Sequence, residues 1–318
     1  MGRRRTRRRL LKRAASAPAM FLPDEVWETV AAHATAQTVA RLECVSRRMR
    51  RCCRAATVRR VHVTPENAGA LAWAARRRVA SLSCRRLGVD WQPIPPDVES
   101  ASFRFCHVAS DVLNRLPTGL RALELHRLTR PTLGDFSVAD FVARFPRLED
   151  LRLTLVAPTG HGGAVVVRDV SLRRLHLRGS DRVFVGGTVH VRDLLLEVAW
   201  EALAADAPTA DAPAADARVP VPVVTWSGVE RLAVTCRTLD PRLLHGLRCD
   251  VLRLRCPRAS LTLRELAPRD VDCEVDFLLV DAAAAPRLEK LRAVARRWAV
   301  CDLPTTQVRL GTRFTEFS

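Results

Sequence analysis

LEDLRL, residues 148–153, carries apolar side chains at its first, fourth and sixth positions. The alternation of Leu151 and Leu153 about Arg152 is typical of a short strand with one buried face. The same apolar-x-x-apolar-x-apolar unit begins at residues 79, 98, 120, 148, 172, 191, 229 and 249, and a degenerate copy begins at 288. All but one of the steps between the first eight units fall between 19 and 28 residues. The pattern predicts a solenoid in which stacked strands share one core.

This spacing resembles that of leucine-rich repeats, and we expect an irregular, strand-dominated solenoid of the α+β class. Outward positions are expected to line a concave sheet face with Arg121, Glu124, His126, Arg152, Arg173 and His176. Helical signals outside the sheet are few, at Ala139–Phe145 and at Leu288–Trp298. An unrelated all-β or α/β domain with accidental spacing is the alternative.

The N-terminal residues 21–56, FLPDEVWETVAAHATAQTVARLECVSRRMRRCCRAA, have helical rather than strand periodicity. Leu22-Pro23 stands before the acidic pair Asp24-Glu25, as expected where a helix begins. A first apolar stripe runs from Val26 to Ala34, and a second runs from Val39 to Cys52 at steps of three and four. The region between them, Thr35–Thr38, predicts a break and a new N-cap. We therefore expect two amphipathic helices.

The run LPDEVWETVAAHA followed by VARLECVSRRMRR resembles the F-box motif. Val45–Arg50 matches its closing pattern, with Met49 where the family usually has Trp or another aromatic residue. The resemblance implies an apolar surface that docks on a Skp-type adaptor. The strongest candidates are Leu22, Pro23 and Trp27. The full carried-over set is Leu22, Pro23, Val26, Trp27, Val30, Leu42, Val45 and Met49. The alternative is a helical hairpin that only caps the solenoid.

An F-box followed by repeats implies a substrate receptor of an SCF-type, cullin–RING ubiquitin ligase. Such a receptor is not itself catalytic; it holds a protein target near a charged ubiquitin-conjugating enzyme. An Arg-rich sheet face favours an acidic target, whose identity the sequence does not specify. Two alternatives stay open, a protein-interaction scaffold outside any ligase and a basic nucleic-acid-associated protein.

The net charge is +18, but only two of the 52 basic residues are lysines, Lys12 and Lys290. Tyr is absent as well, so the composition indicates a GC-rich gene in which Arg replaces Lys. Few aromatic residues interleave with the arginines, as stacking on bases would require. We therefore do not expect a dedicated nucleic-acid-binding domain. With no apolar run of membrane-spanning length and no secretory signal, we expect a cytoplasmic or nuclear protein, in the host cell if the gene is viral.

The expected division of the chain is a basic disordered tail at 1–19, the F-box at 20–60 and the repeat domain at 61–318. Within the last, the Ala/Pro/Asp-rich stretch 201–222 predicts a flexible insertion, and Gly160–Gly163 predicts a turn. The ten cysteines have no zinc-ligand spacing and predict reduced core residues. No enzyme motif is found, and no cofactor or metal is expected.

Overall fold

The computed structural model describes residues 22–87, 94–106, 115–129, 136–156, 164–180, 182–198, 203–204, 224–244, 246–263, 268–280, 287–300 and 307–311. The predicted tail at 1–19 and the predicted turn at Gly160–Gly163 lie outside these residues. No helix in the described part is long and apolar enough to cross a membrane. Three helices come first and a single sheet follows.

The N-terminal segment forms three helices: α1 (Asp24–His33), α2 (Ala36–Glu43) and α3 (Arg47–Ala55). Thr35 is the N-cap of α2, and its side chain accepts a hydrogen bond from the Thr38 N–H, which confirms the predicted break. The expectation of a single second helix over Val39–Cys52 is wrong, because two helices cover this stretch. The Ser46 hydroxyl caps α3 by accepting from the Met49 N–H, so the chain begins a new helix inside a continuous apolar stripe.

The sheet contains 15 strands: β1 (Val58–Val63), β2 (Val79–Arg85), β3 (Ser100–Arg104), β4 (Ala122–Thr129), β5 (Phe136–Ser137), β6 (Asp150–Val156), β7 (Ala164–Ser180), β8 (Arg182–Val198), β9 (Leu203–Ala204), β10 (Thr225–Ser227), β11 (Arg231–Thr235), β12 (Val251–Thr262), β13 (Asp270–Val280), β14 (Lys290–Val300) and β15 (Gln307–Gly311). Its main path runs β1-β2-β3-β4-β6-β7-β8-β11-β12-β13-β14-β15. Every pairing in that path is parallel. The architecture is therefore a strand-dominated parallel β-solenoid, as the repeat predicted.

The repeat units stack in register, because the fourth position of each unit pairs with the fourth position of the next. Leu151 pairs with Leu123 on one side and with Leu175 on the other. The ladder of these positions comprises Val61, Leu82, Ala101, Leu123, Leu151, Leu175, Leu194, Leu232, Leu252, Val271, Leu291 and Val308. Apart from Val308, whose side chain is not described, all of them are buried in one continuous core. Burial of these apolar side chains stabilises the stacked strands.

Three strands of the main path, β1, β13 and β15, were absent from the predicted repeat series. Strand β1 begins at Val58, so it spans the predicted boundary between residues 60 and 61. Strand β13 contributes Val271 and Cys273 to the core, but Pro268 occupies the leading apolar position of its unit. A proline is tolerated there because that position precedes the strand and donates no ladder hydrogen bond.

The expected helix at Leu288–Trp298 is wrong, since these residues lie mostly in β14. Leu291, Ala293 and Ala295 are buried at every second position, while Arg292 is exposed. This period of two belongs to a strand, and cross-strand burial outweighs the helix propensity of the alanines.

Helices beside the sheet are short in the described residues. The expected helix at Ala139–Phe145 is present as α5 (Val138–Ala143), whose N-cap Ser137 accepts from the Asp140 N–H. A further helix, α4 (Gly69–Ala74), connects β1 to β2. Two 3₁₀ turns cover Pro65–Asn67 and Pro241–Leu244.

The Ala/Pro/Asp-rich stretch 201–222 is mostly outside the described residues. Its described part, Leu203–Ala204, forms β9 and pairs with Val183 and Phe184 of β8. The stretch predicted to be a flexible insertion therefore includes one short paired strand near its start.

Candidate functional site

The first candidate site is an apolar surface on the N-terminal helices. Leu22, Val26, Val30 and Val45 are exposed by 36, 39, 42 and 69%, respectively. Among the described residues, the other large apolar side chain classed as exposed is Phe105. Large apolar side chains clustered in solvent are typical of an interaction surface. We call these four residues the apolar helix surface.

The fold of α1 produces this surface directly. Val26 and Val30 are four residues apart in α1, so they lie along one side of the helix, and Leu22 immediately precedes the N-cap residue Pro23. Ala31 is fully buried in the core, as is Val39 of α2, so the helices do dock on the solenoid through other positions. The helices therefore use one set of apolar residues for packing and leave a second set in solvent.

An ion pair links the start of α3 to the start of α1. The Arg48 Nε donates to Asp24 Oδ1 over 2.6 Å, and its Nη2 donates to the Leu22 carbonyl over 2.7 Å. The hydrogen bond from Arg48 lowers the pKa of the Asp24 carboxyl. Because Arg48 lies in the first turn of α3, this pair holds the start of α3 beside the start of α1.

The remaining predicted adaptor residues differ in accessibility. Pro23 is exposed and is the N-cap residue of α1. Trp27 and Met49 are half-buried. Leu42 is half-buried and packs against the solenoid core, so part of its side chain already has a partner within the chain.

A buried ion pair fixes the helices to the solenoid, and no local sequence signal indicates it. Glu43, at the end of α2, accepts from Arg77 Nε over 2.8 Å, from Arg77 Nη2 over 2.6 Å and from Trp73 Nε1 over 3.3 Å. The Arg77 and Glu43 side chains are only 7% and 11% exposed. The Arg77 guanidinium also lies 5.3 Å from the centre of the Trp73 ring. The orientation of the apolar helix surface relative to the sheet therefore depends on Glu43.

Charged side chains cover the outward face of the sheet, as the sequence predicted. In its middle, Asp193 Oδ2 lies 3.3 Å from Arg174 Nε and 2.9 Å from Arg231 Nη2. Arg174 also contacts Asp150 over 3.0 Å. His176 Nε2 lies 3.7 Å from the same Asp193 oxygen. Consecutive strands thus alternate acid and base, which neutralises this part of the face internally.

The C-terminal end of the same face is different. A cavity of about 340 Å³ lies over β12–β15 and is lined by Leu291 and six charged residues, namely Arg253, Asp270, Asp272, Lys290, Arg292 and Arg309. Within the described residues, none of its four cations lies in an ion pair. Lys290, Arg292 and Arg309 are adjacent on β14 and β15, and we call them the cationic patch. The sequence predicted an Arg-rich face but did not locate this patch.

Phe105 is a further feature that sequence analysis missed. It has a left-handed backbone, with φ of 56°, and an exposed side chain whose ring centre lies 4.8 Å from that of His126. Bulky residues rarely adopt this conformation, so the bend after β3 imposes it. No periodicity in the sequence marks such a position.

Cysteine placement agrees with the predicted role of these residues as core side chains. Of the nine cysteines in the described residues, all free, eight are buried and Cys44 is exposed. Burial raises the pKa of the Cys84 thiol to about 12, which removes its nucleophilic thiolate at neutral pH. No group of His, Cys, Asp and Glu in the described part has the arrangement of a metal site.

Comparison of the chain with protein-family models, with curated proteins and with solved structures finds no match.

Proposed function

We propose that this protein is the substrate-recognition subunit of an SCF-type, cullin–RING ubiquitin ligase. Its helices would dock on a Skp-type adaptor and its sheet face would hold a protein target. The proposal rests on one observation above the others. The exposed residues Leu22, Val26, Val30 and Val45 all belong to the set that the F-box resemblance assigns to adaptor contact.

The physical argument is that these side chains need a partner. Burying a Val or Leu side chain fully is worth about 1.5–3 kcal/mol, and the solenoid leaves much of this surface in water. A partner groove that covers all four would gain several kilocalories per mole before the cost of association. The chain would act by proximity, raising the concentration of target lysines near the conjugating enzyme.

Co-purification of the full chain with a Skp-type adaptor tests the proposal. The double variant Val26→Asp/Val30→Asp places two carboxylates in the apolar helix surface without touching the core. We expect it to weaken binding by roughly a hundredfold, because each substitution removes apolar burial and adds a desolvation cost.

The matched control is Gln37→Asp/Thr57→Asp, which adds the same two charges at exposed positions outside the surface. It should bind as the unchanged chain does. If the unchanged chain binds no Skp-type adaptor, or if the two double variants bind equally, the helices serve only as a cap for the solenoid and the protein is a scaffold.

A further inference from the structure

We propose that the cationic patch, Lys290, Arg292 and Arg309, binds an extended, carboxylate-rich segment of a partner protein in which acidic residues occupy alternate positions. This deepens the proposed function, since it assigns the target-binding part of the sheet face and the chemistry of the target. It does not depend on the adaptor surface, which lies at the other end of the chain.

The first support is the arrangement of like charges. Arg292 and Arg309 are direct cross-strand neighbours on β14 and β15, and Lys290 lies two residues before Arg292 on the same strand. Neighbouring parallel strands are separated by about 4.8 Å, so the patch holds three positive charges in close proximity. Like charges directly opposite one another destabilise a sheet, and a bound anion removes that cost.

The second support is the contrast with the rest of the face. Around Asp193, Arg174 and Arg231 each have a carboxylate within ion-pair distance. At the cationic patch, Asp270 and Asp272 stand opposite Lys290 and Arg292 in register. No ion pair between these strands is formed among the described side chains that line the cavity. The cations there retain their capacity to bind an external carboxylate.

The third support is spacing. Side chains two residues apart on a strand lie about 6.6 Å from each other, and this separates Lys290 from Arg292. An extended peptide presents every second side chain at the same interval, so alternate Asp or Glu residues would match these two cations. Arg309 then faces the same peptide from the next strand. A carboxylate accepts two parallel hydrogen bonds from an arginine, which favours this pairing over a contact with a single point charge.

A nucleic acid fits the cavity less well. Binding of single strands combines a basic groove with aromatic side chains on which bases stack. The residues that line this cavity include no aromatic side chain in the described part of the chain. Asp270 and Asp272 would also lie beside a continuous phosphodiester chain and repel it, whereas separate carboxylates can avoid them.

Fluorescence polarisation with the full chain tests the proposal. The probe is a labelled peptide in which Asp and Glu alternate with Ser, and the comparison peptide has the same composition with its acidic residues in one block. The variant Arg292→Ala/Arg309→Ala should bind the alternating peptide about tenfold more weakly. The control Arg60→Ala/Arg85→Ala removes two exposed arginines from β1 and β2, at the other end of the sheet, and should bind unchanged.

Each other outcome overturns the proposal. Equal loss in the two double variants would mean that binding follows net charge alone. Equal affinity for the blocked peptide would remove the argument from spacing. Tighter binding of a single-stranded oligonucleotide, lost in Arg292→Ala/Arg309→Ala, would make the patch a nucleic-acid site. Absence of peptide binding with adaptor binding intact would refute this inference and leave the proposed function standing.

A second variant gives an independent test. Asp270→Asn/Asp272→Asn removes the neighbouring carboxylates and should strengthen binding of the alternating peptide. Unchanged or weaker binding in this variant, with the fold intact by circular dichroism, would show that the peptide does not lie on this part of the face.

Discussion

The buried pair between Glu43 and Arg77 offers the sharpest test of how the helices are held on the solenoid. Replacing Glu43 with Ala leaves the Arg77 guanidinium, 7% exposed, without a carboxylate in the contacts described here. Breaking a buried pair by removing one partner typically costs about 3–5 kcal/mol, because the remaining charge stays desolvated. The Trp73 indole N–H loses its acceptor as well. We therefore expect Glu43→Ala to destabilise the helical segment by about 3–5 kcal/mol.

Urea unfolding followed by tryptophan fluorescence, together with hydrogen exchange over 24–55, measures this effect. Hydrogen exchange is needed because a solenoid can lose its terminal segment without unfolding throughout. The double variant Glu43→Leu/Arg77→Met replaces both charges with apolar side chains and should lie within about 1–2 kcal/mol of the unchanged protein, or above it. Glu43→Leu and Arg77→Met, measured singly, complete a double-mutant cycle with this variant and should show a large non-additive free energy.

The pair between Asp24 and Arg48 is the natural control. Its closest atoms are also 2.6 Å apart, but its side chains are 46% and 34% exposed. Asp24→Ala should cost clearly less than Glu43→Ala, since solvent screens exposed pairs and rehydrates the partner. If Glu43→Ala costs no more than Asp24→Ala, burial of the Glu43 pair does not govern docking of the helices, and the reasoning is refuted.

Three further predictions concern the solenoid itself. Leu194→Ala, at a fully buried ladder position, should lower the free energy of unfolding by about 2–5 kcal/mol, whereas Leu195→Ala on the outward face should lower it clearly less. Equal losses of the two variants in urea unfolding would contradict the assigned register. Gly179→Ala should destabilise more than Gly246→Ala in thermal unfolding, because both glycines have positive φ but an added Cβ at 179 meets backbone while the space at 246 is open. Burial lowers the pKa of His176 below its ordinary value of 6.5, an effect that nearby arginines reinforce and the Asp193 carboxylate opposes. Just below pH 6.5 the unfolded chain therefore binds more protons than the folded chain, so the free energy of unfolding should fall as the pH drops through that window. His176→Gln should make the free energy of unfolding depend less on pH there. An NMR titration that gives His176 a raised pKa would contradict this prediction.

The predictable part of this fold lies in short-range alternation. A unit such as the one that contains Leu151 and Leu153 places two apolar side chains on one face of a strand. This alternation follows from the geometry of the strand itself and does not depend on the neighbouring elements. The unit at β13 was missed because Pro268 interrupts the apolar pattern, although the following Val271 and Cys273 pack normally. At β14 the sequence predicted both a helix over Leu288–Trp298 and a degenerate repeat unit beginning at 288, and the pairing with β13 shows that the residues form a strand.

The candidate site was also predictable from the sequence only in part. The resemblance to the F-box motif implied a contact surface that includes Leu22, Val26, Val30 and Val45, and helical periodicity placed Val26 and Val30 on one side of the first helix. Which of the predicted residues stay in solvent was not predictable, because Leu42 has the same local pattern but packs against the core.

The sequence by itself determined a strand-dominated solenoid, an amphipathic helical start and a basic outward face, because each depends on residues close together in the chain. Only the tertiary structure decided which distant residues meet. Glu43 finds Arg77 through the docking of a helix, and Arg292 stands beside Arg309 through the register of β14 and β15. Contacts of this kind depend on how the chain turns between elements, and no local periodicity encodes those turns.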